Sequence, residues 1–342
     1  MAKDAAMRQP ILQHGATRRA HAAPSRRAVV LGLAAAPLAW AGRGWAADAP
    51  LGVVATTGMI ADAARAVGGD AIAVRALMGP AVDPHAYRQT RSDVAAMLRA
   101  DLVLWNGLFL EAQMEEFLAG LSRRTRVVAV GESLDRAELI AHADYAGRFD
   151  PHVWMVPSLW RRVVQAIADE IIAQRPESTE AVGERTASAL GELDALRDYA
   201  AATMATIPEG SRVLVTAHDA FGYFGREYGM DVLGIQGIST ESEAGLTRIR
   251  ELVDLIVERG IGAVFVETSV SDRNVRALIE GARSRGHEVA VGGELFSDAM
   301  GPEGTYEGTY AGMIDHNVTT IARALGGEAP VRGMAGRLGE GT

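Results

Sequence analysis

Residues 212–224, Arg-Val-Leu-Val-Thr-Ala-His-Asp-Ala-Phe-Gly-Tyr-Phe, open on an apolar, partly β-branched run and then deliver a histidine. The run Val213-Leu214-Val215-Thr216 reads as a buried strand. His218 and Asp219 follow it before a helix-like segment begins. In open α/β sheets, ligands sit in the crevice beyond the carboxyl ends of the strands. A histidine directly after a strand therefore stands where a ligand is met. Alone, it reads first as a satisfied structural histidine. Three further metal-competent residues in the same kind of place change that reading.

Outward from this stretch, strand-like and helix-like segments alternate on both sides. Before it, strands are expected at 51–55, 71–77, 102–105 and 125–130. Helices are expected at 59–67, 93–99 (capped by Ser92), 111–121 and from Ser158, as cap, to 174. The second series has strands at 212–217, 231–235, 263–267 and 288–291, with helices at 221–228, 246–259, 274–285 and 309–325. Such alternation predicts an α/β fold of two Rossmann-like lobes, each a mostly parallel sheet covered by helices. Between the series, residues 177–207 contain no proline and only Gly183 and Gly191 as glycines. Leu190, Leu193, Leu196, Tyr199 and Met204 recur at roughly helical spacing. This segment reads as one rigid helix of about 28 residues, ~42 Å long, joining the lobes. Two shorter helices broken near Gly191 are the other reading. The expected organisation is a leader at 1–49, a first lobe at 50–175, a linking helix at 176–208, a second lobe at 209–328 and a glycine-rich flexible tail at 329–342.

Four residues are expected past strand ends, two in each lobe: His85 and His152 in the first, His218 and Asp298 in the second. If the lobes face each other, these groups converge at the interface. Three imidazoles and a carboxylate form a nitrogen/oxygen set suited to a divalent first-row metal. His85 and His152 share a frame, Asp83-Pro84-His85-Ala86-Tyr87 and Asp150-Pro151-His152-Val153-Trp154. Proline fixes its own φ and biases the preceding residue to extended geometry, so each frame presents its imidazole on a stiff backbone. The aspartate of each frame is a candidate cap of a local turn. Recurrence of such a frame among only eight histidines is improbable by chance.

With these motifs in view, the chain resembles the extracytoplasmic metal-binding receptors of bacterial ABC importers for zinc and manganese. The resemblance runs from about Gly52 to Leu325. It rests on both Asp-Pro-His frames, on His218-Asp219-Ala220-Phe221-Gly222-Tyr223-Phe224, on Gly237-Ile238-Ser239-Thr240-Glu241-Ser242-Glu243 and on Phe296-Ser297-Asp298-Ala299-Met300-Gly301. It implies two lobes joined by one long helix, with one Zn²⁺ or Mn²⁺ held at their interface by His85, His152, His218 and Asp298. It also implies a membrane permease as partner, a monomer and no catalytic step. Zinc-specialised members usually carry a His-rich loop before the second His motif, whereas residues 133–149 hold only His142. Manganese-specialised members usually have Glu where this chain has His218.

Other residues have two readings each. His142 is a loop ligand or a solvated loop residue; His287 and His316 read as structural. Glu243 and Glu267 either orient ligand histidines or brace the lobes as ion pairs. Tyr87, Trp154, Phe221, Tyr223 and Phe224 either wall the cleft or pack the core.

Composition bounds the function. Residues 1–49 hold seven Lys and Arg against two Asp, a net +5, which leaves −14 for the remainder of a chain whose formal total is −9. An acidic body argues against nucleic acid as partner. The sequence has no cysteine, which removes disulfides, thiolate metal sites, cysteine nucleophiles and a lipid-anchored amino-terminal cysteine. Arg26-Arg27 precede an apolar run at 28–41 too short to span a bilayer comfortably, which predicts a cleavable twin-arginine export signal and a periplasmic protein not embedded in the membrane. Two other functions remain at this level. One is a periplasmic zinc-dependent hydrolase, for which Glu267 is the one candidate general base; the other is a metal-stabilised adhesion or scaffold protein. Four protein ligands weigh against the hydrolase, because catalytic zinc keeps a coordination position open.

Overall fold

The computed structural model describes residues 49–142 and 146–339. Residues 1–48, nearly all of the expected leader, lie outside the described residues. In the first lobe, strands β1 (Leu51–Ala55), β2 (Ile72–Ala76), β3 (Leu102–Trp105) and β4 (Arg126–Ala129) form a parallel sheet in the order β2-β1-β3-β4. Helices α1 (Gly58–Gly68), α2 (Arg91–Met97), α3 (Glu115–Leu121) and α4 (Pro157–Gln174) accompany it. Successive strand residues point to opposite faces. On β1, Val53 and Ala55 thus join a core with Ile60, Val163 and Ile167, while Val54 joins Met97, Val103 and Leu118 on the other face. Both faces are covered, which is why the strands read as apolar runs.

The expected linking helix is a single, unbroken α5 (Thr179–Ala205) of 27 residues. Gly191 is exposed and does not interrupt it. Leu193, Leu196, Ala200 and Met204 turn inward to a core that continues into the second lobe through Phe224, Phe265, Met313 and Ile314. The lobes therefore share one apolar core along α5.

The second lobe pairs β5 (Val213–Thr216) with β6 (Asp231–Gly234) and β7 (Ala263–Glu267) with β8 (Ala290–Leu295), both in parallel. Its helices are α6 (Gly222–Tyr228), α7 (Leu246–Arg259), α8 (Arg273–Arg283) and α9 (Tyr310–Ala324). Val213 and Val215 face Leu252, Ile256 and Val264, while Leu214 faces the shared core.

The structure differs from the sequence reading at several places. The cap of α2 is Thr90, not Ser92: Thr90 and Asp93 form a reciprocal capping box. Helix α4 starts on Pro157, whose missing N–H is harmless in a first turn, so Ser158 is not the cap. Strand β8 runs on to Leu295, through Gly292 and Gly293 that read as loop. A bulge places Gly293 opposite Phe265, and a Cβ there would meet the Thr320 side chain of α9 at 2.3 Å. Residues 329–339 of the tail, expected to be flexible, are seated on α9: Leu338 is buried, and the Met334 and Ala335 N–H groups donate to Asp315 at 2.8 and 3.4 Å. Asp315, a buried carboxylate, supplies the anchor that glycine content conceals.

Candidate metal centre

The elements bring the four sequence-predicted residues together. His85 lies in the turn after β2, His218 directly after β5 and Asp298 directly after β8. His152 comes from the loop between β4 and α4, which carries one antiparallel bridge, Ala141 with Phe149. The candidate ligand atoms of all four lie within 4.8 Å of one another, and all four residues are buried. His85 Nε2 is 3.3 Å from His152 Nε2, and His152 Nε2 is 3.4 Å from His218 Nε2. Asp298 completes the group, with Oδ1 3.4 Å from His152 Nε2 and Oδ2 3.2 Å from His218 Nε2.

Local chemistry decides which nitrogen faces inward. His152 Nδ1 is 2.7 Å from Asp150 Oδ1, and His218 Nδ1 is 2.5 Å from Glu267 Oε2. A carboxylate only accepts, so each Nδ1 carries a proton and each Nε2 presents its lone pair to the centre when the ring is neutral. Among the described residues neither oxygen of Asp298 has a hydrogen-bond donor while these rings are neutral. Lone pairs and a carboxylate therefore crowd one buried point, an arrangement that repels itself unless a cation lies between them. A tetrahedron with bonds of about 2.0–2.1 Å, as for zinc, has edges of about 3.3 Å. The His85–His152 and His152–His218 separations match such edges, and each oxygen of Asp298 approaches one histidine at a similar distance.

Protons stand in part for that cation. Burial pushes the His85 imidazole down to about 3, against the pull of Asp298. Burial also disfavours the charged form of His152, but Asp150 and Asp298 outweigh it and hold the ring up to about 9. For His218 the same burial is outweighed by Asp298 and Glu267, which raise it well above the usual value. Burial would raise Asp298, yet His218, His152 and His85 outweigh it and hold the carboxyl well below the usual range.

Both Asp-Pro-His turns are built alike. Asp83 Oδ1 accepts the His85 N–H and Asp150 Oδ1 accepts the His152 N–H, each at 2.9 Å, as the turn reading expected. The Glu267 carboxylate is a further brace, accepting the His218 N–H at 2.9 Å through its other oxygen. A Cβ at Gly222 would lie 2.8 Å from Asp150 Oδ2, so the glycine of the His218 motif makes room for the brace of His152.

Sequence reading missed one supporting group. Glu111, expected to start a helix, lies before a 3-10 turn and is fully buried, pushed up to about 7 by burial. Its carboxyl accepts from Thr56 Oγ1 at 2.6 Å and from the Asn106 N–H at 2.8 Å. Asn106 Nδ2 donates to Pro151 O at 3.1 Å and so supports the His152 turn. Apolar surroundings disguise Glu111 in the sequence, and its partners are distant in the chain.

The remaining candidates fall elsewhere. His142 lies in a loop, its N–H bonded to Arg148 O, and is outside the quartet. His287 and His316 donate to the Ile261 and Glu294 carbonyls, at 2.7 and 2.8 Å. Glu243 accepts from Asn274 at 3.0 Å, and among the described residues no hydrogen bond joins it to His85, His152 or His218. Trp154 packs edge-on against His152 and donates to Ser297 O at 2.7 Å, tying the first lobe to the turn that carries Asp298. Tyr223 donates to Asp150 O at 2.8 Å; Phe221 and Phe224 are buried in the shared core. Tyr87 instead donates to Asp93 at 2.7 Å.

Residues 53–324 match the family profile described as ZnuA, zinc-uptake complex component A, periplasmic. The chain is similar to the manganese-binding lipoprotein MntA of Bacillus subtilis (strain 168), 46% identical over 282 residues that cover 82% of this chain and 92% of that protein. It is also similar to the zinc-binding protein TroA of Treponema pallidum (strain Nichols), 44% identical over 280 residues, 82% of this chain and 90% of the other. The solved structure of the periplasmic zinc-binding protein TroA from Treponema pallidum superposes with a TM-score of 0.79, covering 81% of this chain and 99% of that one at 44% identity. With the profile matched over both lobes, the chain belongs to the ZnuA family, the periplasmic component A of zinc-uptake complexes.

Proposed function

We propose that the protein captures one Zn²⁺ or Mn²⁺ outside the cytoplasm and delivers it to the membrane permease of an ABC importer. His85, His152, His218 and Asp298 are the ligands of this reading. The metal is cargo, and the protein carries out no reaction on it. The observation that carries the proposal is the buried cluster of three imidazole nitrogens and the Asp298 carboxylate: the candidate ligand atoms lie within 4.8 Å of one another, and among the described residues the carboxylate has no donor when those rings are neutral. A manganese-binding and a zinc-binding relative at similar identity support either ion as cargo. The hydrolase alternative loses its base, since both oxygens of Glu267 are engaged by His218. Among the described residues no helix is long and apolar enough to cross a membrane.

Export by the Arg26-Arg27 signal without lipid attachment is part of the same reading, supported by a sequence that contains no cysteine. So are a monomeric state and the division into lobes at 50–175 and 209–328 about the helix at 176–208. The test is a competitive metal titration of the purified protein. One ion per chain is expected, with binding lost or strongly weakened in His85→Ala and Asp298→Ala and unchanged in His142→Ala. Equal effects from all three changes would defeat the assignment.

A further inference from the structure

Loop 237–245 is most of the connection, 235–245, from β6 to α7 and so belongs to the second lobe by connection. Two of its side chains nevertheless bond to the first lobe. Thr240 Oγ1 donates to Asp83 Oδ2 at 2.6 Å, and Gln113 Nε2 donates to Glu241. The base of the loop is held at home, where Asn274 donates to Glu243 at 3.0 Å. The loop thus bridges the lobes beside His85.

Asp83 is the pivot of that bridge. One of its oxygens accepts from Thr240, and the other accepts the His85 N–H at 2.9 Å. His152 and His218 are each held by a ring bond to a buried carboxylate. Among the described residues no carboxylate holds the His85 ring, so its seat follows from the backbone bond to Asp83. Its loop also contains Ala81 at φ 57°, a conformation that residues with a Cβ rarely adopt unless surrounding contacts impose it.

We propose that Thr240 is a positioning residue for metal retention: it clamps Asp83, and through it the turn presenting His85, so that loop 237–245 sets the rate at which the ion leaves. This rests on the receptor reading above and names the group that governs release in it. Thr240→Val removes the hydroxyl at nearly constant volume, and Thr240→Ser keeps it.

The test loads the wild type and both variants with Zn²⁺ and follows release into excess chelator by stopped flow, alongside thermal unfolding of the metal-free proteins. Loss of a hydrogen bond to a carboxylate corresponds to release faster by about tenfold in Thr240→Val. Thr240→Ser should release at the wild-type rate, and any fall in the metal-free unfolding temperature of Thr240→Val should be too small to account for its faster release. Gln113→Glu, which sets like charge against Glu241, should also speed release and gives a second variant if Thr240→Val does not fold. Unchanged release in the variants, or equal acceleration in Thr240→Val and Thr240→Ser, overturns the inference. Faster release matched by an equal loss of metal-free stability makes Thr240 merely structural and overturns it too. A wild type that holds no Zn²⁺ overturns the receptor reading and this inference together, whereas a wild type that binds with rates insensitive to Thr240 overturns this inference alone.

Discussion

Replacing Glu267 by Gln changes one buried atom group and leaves the shape nearly intact. In the native protein one oxygen accepts the His218 N–H at 2.9 Å and the other accepts from His218 Nδ1 at 2.5 Å. Glutamine supplies one carbonyl oxygen and one NH₂. If the oxygen keeps the backbone bond, the NH₂ faces Nδ1 and the proton of a neutral ring moves to Nε2, the atom that faces the metal. Binding then has to displace that proton or turn the amide, leaving a buried donor opposed to a donor. A charge-assisted hydrogen bond is worth about 1.5–3 kcal/mol, or roughly 10–150-fold in an equilibrium constant. Loss of carboxylates that orient metal-bound histidines typically weakens affinity by about 10–100-fold, which agrees. The expected outcome is a Zn²⁺ dissociation constant raised by about 10–100-fold with stoichiometry unchanged, measured by competition against a chelator of known affinity. An unchanged constant would refute the claim that Glu267 sets the tautomer of His218. A loss as large as that of His218→Ala would show that Glu267 does more than orient the ring.

Three further outcomes follow from the same geometry. His152 sits at about 9 in the fold against an ordinary 6.5, so the stability its protonation contributes is complete below 6.5 and lost as pH rises through 9. The metal-free protein should melt at lower temperature at pH 9 than at pH 6.5, while Zn²⁺ affinity rises over the same window as protons are displaced; calorimetry at both pH values measures both trends. His218→Glu adds an oxygen ligand to the set and should shift the Zn²⁺/Mn²⁺ affinity ratio toward Mn²⁺ in paired competition titrations, starting from a native protein that prefers Zn²⁺. Trp154→Phe leaves the buried Ser297 carbonyl without its donor and should cost about 1–3 kcal/mol, read as a lower unfolding temperature.

Much of this was legible in the chain because it is local. The position of His218 after an apolar strand, the twin Asp-Pro-His frames and the long glycine-poor stretch are contiguous signals. In the structure they correspond to a histidine past β5, two turns of the same construction and an unbroken α5. What the sequence concealed depends on partners far away along the chain. Glu111 and Asn106 brace the His152 turn across separations no window spans. Of two glutamates weighed as supports for the histidines, Glu267 reaches His218 and Glu243 does not, a distinction fixed by how β5 and β7 pack rather than by spacing. The double glycine within β8 carried the signature of a loop, because the approach of Thr320 that requires Gly293 is a tertiary contact.

The central claim is that one divalent ion sits among His85, His152, His218 and Asp298. Anomalous diffraction at the zinc absorption edge, from crystals of the protein loaded with one equivalent of Zn²⁺, tests it directly. The account predicts a single strong peak at about 2.0–2.1 Å from three imidazole Nε2 atoms and from one oxygen of the aspartate. A peak elsewhere on the protein, or one bound by fewer than three of these residues, would contradict it.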